Sequence, residues 1–164
     1  MDLLDISLIL SILSCSLLTG FVFTYAIVVM PGLSKLNDKK FIRAFQVTDA
    51  VIQNNLPLFI LTWLGSILSI LSTILISIVI VGLLEAWLIV LIGVVFLLRV
   101  QGITISIHLP LNNHLQKLNV NELNDQPLRK ERLQFEARWN FYNNIRTAFG
   151  FFVSLLLLFI LTLQ

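Results

Sequence analysis

LLEAWLIVLIGVVFLLRVQGITISIHL, residues 83–109, is longer than the roughly 20 apolar residues a helix needs to cross a bilayer. It carries one cation near its middle, Arg99. A charge at that depth costs roughly 2.5–3.5 kcal/mol on insertion scales, so it normally has a partner or a task. Pro110 follows the run directly. Arg99 stands eleven residues before it, about 16 Å along a helix and close to the midplane of a ~30 Å hydrocarbon core.

Three further runs are long and apolar enough to span: about residues 6–30, 56–80 and 145–163. Pro31, Pro57 and Pro110 fall at the expected helix ends, where a missing N–H does least damage. The whole chain is 57% hydrophobic and only 12% charged, against about a quarter charged in soluble domains. It therefore reads as an integral membrane protein, one membrane domain over residues 1–164. The expected fold is all-α: an up-down four-helix bundle, since spans two and three are joined only by a turn near Val81-Gly82. The start, Met1-Asp2-Leu3-Leu4-Asp5, has no basic stretch and no small-residue cleavage site, so the first run is expected to be a retained helix.

Two water-facing segments complete the plan. Residues 33–55 are polar but periodic, with Phe41, Phe45, Val47, Val51 and Ile52 close to one helical face. An amphipathic helix is expected there, before span two. Residues 130–144 are dense in charge and aromatics and predict a helical extension running into span four. Nine of the eleven basic residues lie in the two polar loops, 33–55 and 111–144, and the tails and the Gly82 turn have none. The positive-inside rule then puts the loops in the cytoplasm and both termini on the other side.

Net charge is +2, which gives no reason to expect a nucleic-acid partner. Cys15 stands alone inside the first span, so no intrachain disulfide and no CxxC redox pair exist; it is expected to pack as a small apolar residue. His108 and His114 straddle Pro110 at a spacing unsuited to a helical metal pair, and no third ligand is evident. No metal site is assigned. Phosphate loops, nucleophile elbows and H-E-x-x-H are absent from the sequence.

Polar residues inside an apolar chain carry the remaining signal. Gln101, Thr104 and His108 form a stripe on the face opposite Arg99, and both faces are expected to touch protein. Trp139, Asn143, Arg146 and Gly150 recur at i, i+4, i+7 and i+11, the glycine permitting close helix approach. Gln46, Asp49, Gln53, Asn54 and Asn55 precede span two. Asp49 is a candidate partner for Arg99. Glu85 lies fourteen residues before Arg99, about 21 Å along a helix and too far to pair.

Four blocks, GFVFTYAIVVMPGL (20–33), FQVTDAVIQNNLPLF (45–59), TISIHLPLNNHL (104–115) and RWNFYNNIRTAFG (138–150), occur in this order. Together they resemble the DUF1772, or anthrone oxygenase-like, family of small four-span membrane proteins, over nearly the whole chain. The most specific pieces are Pro110-Leu111-Asn112-Asn113 and Arg138-Trp139 followed by Asn143 and Arg146-Thr147. The resemblance implies a four-span fold and, from fungal members, oxidation of an anthrone to an anthraquinone. Two positions depart from the family pattern: Asp49 and His108 both stand where asparagine is usual. Both add titratable groups.

On this basis the first expectation is an enzyme that oxidises a small lipophilic aromatic with O2. His108 or Asp49 would be the base and Arg146 would hold developing negative charge, with Arg99, Gln46, Asn112, Asn113, Trp139 and Asn143 around the substrate. The alternatives are a binding module holding haem, metal, quinone or lipid without catalysis, and an assembly subunit in which Arg99, Trp139 and Asn143 lock the bundle. The sequence requires no cofactor; His108 offers haem or copper a single ligand. The expected partners are the bilayer and a hydrophobic small molecule, with homo-oligomer or membrane-complex subunit left open.

Overall fold

The computed structural model describes residues 2–54 and 56–163; Asn55, counted above among the polar residues before span two, lies outside them. Four helices are long and apolar enough to cross a membrane: α1 (Leu3–Leu33), α3 (Pro57–Val81), α4 (Leu83–Gln116) and α5 (Asp125–Thr162). The amphipathic α2 (Asp38–Gln53) sits between the first two. Among the described residues there is no strand. This is the all-α bundle of an integral membrane protein.

Side-chain pairs fix the topology. Ser14 bonds Ser69 at 2.7 Å and Ser11 bonds Thr73 at 2.9 Å, so α1 and α3 run antiparallel. Gly82, at φ +83°, makes the tight turn that folds α4 back on α3. Asn143 donates to the Val22 carbonyl while Gly150 abuts Thr19, and Arg146 donates to Thr104 while Phe149 lies by Arg99, so α5 runs antiparallel to both α1 and α4. The helices pack around a ring in the order α1, α3, α4, α5.

Pro31 and Pro110 do not end their helices. A proline in an α-helix clashes with the carbonyl four residues back and lacks a donor. Here a wider π turn precedes each one: Tyr25–Val29 before Pro31 and Thr104–His108 before Pro110. The Met30 N–H reaches back to Tyr25 and the Leu109 N–H to Thr104, so the extra residue in each turn lets the helix pass the proline. The first and third long helices therefore continue past their prolines to Leu33 and Gln116.

The α2 helix is where expected, but its buried face is Phe41, Ile42, Phe45, Gln46 and Asp49. Val47 and Val51 are exposed. Two cores result. One, around Leu8, Cys15, Ile92, Phe96 and Leu157, fills the half of the bundle nearer the termini. The other, around Phe41, Phe45, Leu115, Phe135 and Trp139, joins α2 to the loop-side half. Arg132 fastens this end. It donates to the Ser34 and Leu36 carbonyls at 2.7 Å each, pairs with Asp38 and Glu136, and lies over the Phe41 ring. The carbonyls it meets follow the last turn of α1, where a cation is favoured.

Candidate functional site

Polar side chains at membrane depth must be satisfied by protein, because lipid offers no hydrogen bonds. The hydroxyls of α1 and α3 bond within the terminal half, whereas the buried Asp49, His108 and Arg146 gather where the two cores meet. The α5 stripe supplies Trp139, Asn143 and Arg146, all buried. Tyr25 comes from the π turn of α1, and Thr104 and His108 from the ends of the second π turn of α4. Asp49 comes from α2.

Asp49 is the hub on the loop side. Its Oδ1 accepts from Asn112 Nδ2 at 2.7 Å, and its Oδ2 accepts from Gln53 Nε2 at 2.6 Å and Gln116 Nε2 at 3.0 Å. Asn112 in turn accepts the Trp139 indole N–H at 3.0 Å. Burial pushes the Asp49 carboxyl above the usual carboxylate range, against the pull of the three amides that donate to it. Gln46 stands behind this hub. Its amide donates to the Leu115 and Leu118 carbonyls, and its own carbonyl accepts from Gln116, which ties α2 to the end of α4.

Arg146 is the hub on the membrane side. Its Nε donates to Asn143 Oδ1 at 2.9 Å and its Nη1 to Thr104 Oγ1 at 3.2 Å, while its guanidinium lies 5.6 Å from the Trp139 ring centroid. Both hydrogen-bond partners are neutral. A guanidinium has five N–H donors, and these bonds use two of them.

A cavity of about 340 Å³ lies between the hubs. Its walls are mostly aromatic and aliphatic, including Phe21, Phe45, Phe59 and Trp63. Its polar groups are Asp49, Gln53, Tyr25, Thr104, His108, Asn112 and Arg146. This is the composition of a small-molecule site: an apolar hollow with a few convergent polar groups. The His108 ring meets Trp139 edge-on at 4.9 Å. Neither ring nitrogen makes a hydrogen bond of ordinary geometry, although the Tyr142 backbone lies beside the ring. Buried polar atoms left in this way are uncommon.

Of the residues expected at a site, the structure brings His108, Asp49, Arg146, Asn112 and Trp139 to one cavity. Asn143 and Gln46 are buried in support of it. Two residues lie elsewhere. Asn113 is exposed, one position past Asn112 on the outer face of α4. Arg99 is also exposed, on the outside of the bundle, with its guanidinium 5.9 Å from the Phe149 ring. Asp49 is engaged by its three amides rather than by Arg99. His114 pairs with Glu131 on α5 at 2.8 Å and does not line the cavity. Among the described residues no three His, Cys, Asp or Glu side chains gather into a metal-binding group.

Tyr25, Trp63 and Gln116 are site residues that motif reading passed over. Their signal is position: tyrosine and tryptophan favour the membrane interface, and one placed deep in a span, such as Tyr25 or Trp63, needs a polar partner or a pocket. Trp63 Nε1 is buried without a partner.

Fold and site together define a small four-span membrane protein with a cavity in its loop-side half. The anthrone oxygenase family model matches residues 53–156, and the chain belongs to that family. No curated protein and no solved structure matches it.

Proposed function

We propose that this protein oxidises a lipophilic aromatic carbon acid with O2, using His108 as the base. One observation carries the reading: a buried imidazole lines the same cavity as Arg146, with the Tyr142 backbone beside it to hold one ring nitrogen and leave the other for a substrate. An anthrone-type CH2 is acidic because its anion is a delocalised aryloxide. His108 takes one proton, and the spare N–H groups of Arg146 hold the aryloxide oxygen. The electron-rich carbon then reduces O2, and recombination forms a C–O bond to a hydroperoxide, protonated by the imidazolium. Loss of the second C–H proton with cleavage of the O–O bond expels water. The sum is CH2 + O2 → C=O + H2O, and no outside reductant enters.

Asp49, with three donors on its carboxylate, suits positioning better than proton abstraction. It acts through Asn112 on Trp139 and so on the His108 ring. The basic loops favour an orientation in which this end of the bundle faces the cytoplasm.

The test is oxygen uptake by purified protein in lipid nanodiscs with anthrone as substrate. One O2 should be consumed per anthraquinone formed, and His108→Ala should lower turnover by at least about 10²-fold. Unchanged turnover in His108→Ala would remove the base assignment. Anthrone binding without oxygen uptake by the wild type would sink the oxidase reading in favour of a ligand-holding module.

A further inference from the structure

We infer that the cavity is loaded sideways from the lipid, through a fissure between α3 and α4 whose lips are Phe59 and Ile60 on one helix and Leu109 on the other. The inference rests on the reading of the cavity as a site for a lipophilic ligand, but not on turnover.

The last tie between α3 and α4 is Gln101 Nε2 donating to Ser66 Oγ at 2.8 Å. On the terminal side of that bond the helices pack closely, down to Ile70 and Ile74 against Gly93. On the loop side they part. From Thr104 onward α4 packs on α5 and α2, and its contact with α3 is marginal. Trp63, Ile60 and Phe59 face the cavity from one side of this gap, and Thr104, His108 and Leu109 from the other.

The gap opens outward among apolar side chains. Leu109 lines the cavity yet is 40% exposed, and Ile105, one turn before it on α4, and Leu56 and Leu64 on the α3 side are exposed too. Toward the loop side the one exposed polar residue of the lining is Gln53, whose amide is held on Asp49 at 2.6 Å. Phe45, Asp49 and Trp139 are each no more than 3% exposed, and Phe41, Leu115 and Phe135 form a second buried layer under them. An apolar mouth at the level of the hydrocarbon admits a solute dissolved among the acyl chains and rejects a charged one, whose transfer into lipid is costly. The class of ligand is therefore a neutral aromatic that partitions into the bilayer.

Two measurements test this. In the first, Leu109→Cys in nanodiscs is treated with pyrene maleimide, which enters lipid, and with a charged, membrane-impermeant thiosulfonate; Cys15 is buried. The lipid-soluble reagent should label Leu109→Cys and the charged one should not. Equal labelling by the charged reagent would place the mouth in water and overturn the inference. In the second, binding of anthraquinone is followed by quenching of tryptophan fluorescence. Ile60→Trp and Leu109→Trp, which narrow the fissure, should slow both association and dissociation by about tenfold, whereas a change in the wall of a site acts mainly on dissociation. Leu75→Trp, on the exposed face of α3, should change neither. Wild-type rates in both fissure variants, or no anthraquinone binding to the wild type, would also overturn it. Binding through the fissure without oxygen uptake would leave the entry route intact and refute only the oxidase reading.

Discussion

Asn112 stands between Asp49 and Trp139, with its amide nitrogen 2.7 Å from the carboxylate and its oxygen 3.0 Å from the indole nitrogen. The carboxylate thus fixes which way the Asn112 amide is turned, and the turned amide fixes the indole. The His108 ring and the Arg146 guanidinium both rest against that indole. Asp49→Asn should break the sequence at its first link. An amide offers one oxygen where the carboxylate offered two, and its NH2 would face the donors of Gln53, Gln116 or Asn112. The expected cost is about 1–3 kcal/mol, read as a lower thermal midpoint. Trp139 emission should shift as its N–H loses a fixed acceptor. An unshifted spectrum would show that Asn112 does not depend on Asp49 for its orientation.

The same residue predicts a pH dependence. Burial raises the Asp49 pKa above its ordinary value of 3.8. Between 3.8 and the higher folded value the native state therefore holds more protons than the unfolded chain. Stability falls with rising pH wherever that is so. The contribution from Asp49 is full below the unfolded value and is lost as pH rises through the folded one. The difference in thermal midpoint between wild type and Asp49→Asn should accordingly shrink as pH rises above 3.8. A difference that grows with pH would mean that the three donors outweigh burial.

These two residues also show what could be read from the chain and what could not. Trp139, Asn143, Arg146 and Gly150 were legible because a 3.6-residue period in a polar stripe has one meaning inside a membrane: that face touches protein. The buried face of α2 was less so. Val47 and Val51 looked like core and are exposed, while Gln46 and Asp49 are buried. Hydrophobic periodicity tells inside from outside in water, but in a bundle bordered by lipid the outside is apolar as well. Arg99 misled for a related reason. Depth was calculable from residue counts, whereas the direction of the side chain depended on the π turn Leu97–Gln101, which no composition rule announces. Pro31 and Pro110 looked like stops because a π turn before a proline leaves no sequence mark.

Gly150 brings α5 against α1. A Cβ there would sit inside van der Waals contact of Thr19 Oγ1, with Thr19 Cγ2 at 3.1 Å. Gly150→Ala should therefore destabilise the bundle by about 1–3 kcal/mol, the usual cost of overpacking. Thr19→Ala removes the two nearest obstructing atoms and leaves only its Cβ, at 3.2 Å, and the Thr19 hydroxyl is buried without a partner, so little is lost with it. The double variant should recover most of the thermal midpoint. If it recovers none, the glycine serves the backbone of α5 rather than the contact with α1.

Arg99 and Arg146 give the sharpest contrast, since both are arginines within membrane-spanning helices. Arg146 is 7% exposed and bonded on two sides inside the cavity wall. Arg99 is exposed and rests on Phe149 alone among the aromatic rings. Removing Arg146 with Arg146→Leu takes the donors from Asn143 and Thr104 and the cation from the cavity; anthraquinone affinity should drop at least about tenfold, as expected for loss of a buried anchor. Arg99→Leu removes a cation exposed midway along an apolar helix, and a cation at bilayer depth costs roughly 2.5–3.5 kcal/mol on insertion scales. It should leave anthraquinone binding unchanged and hold or raise the thermal midpoint in nanodiscs. Lost binding in Arg99→Leu at an unchanged midpoint would place Arg99 in the ligand path after all, and a lowered midpoint would show that the cation is held by a group outside this chain, a lipid phosphate or the acidic side chain of a neighbour.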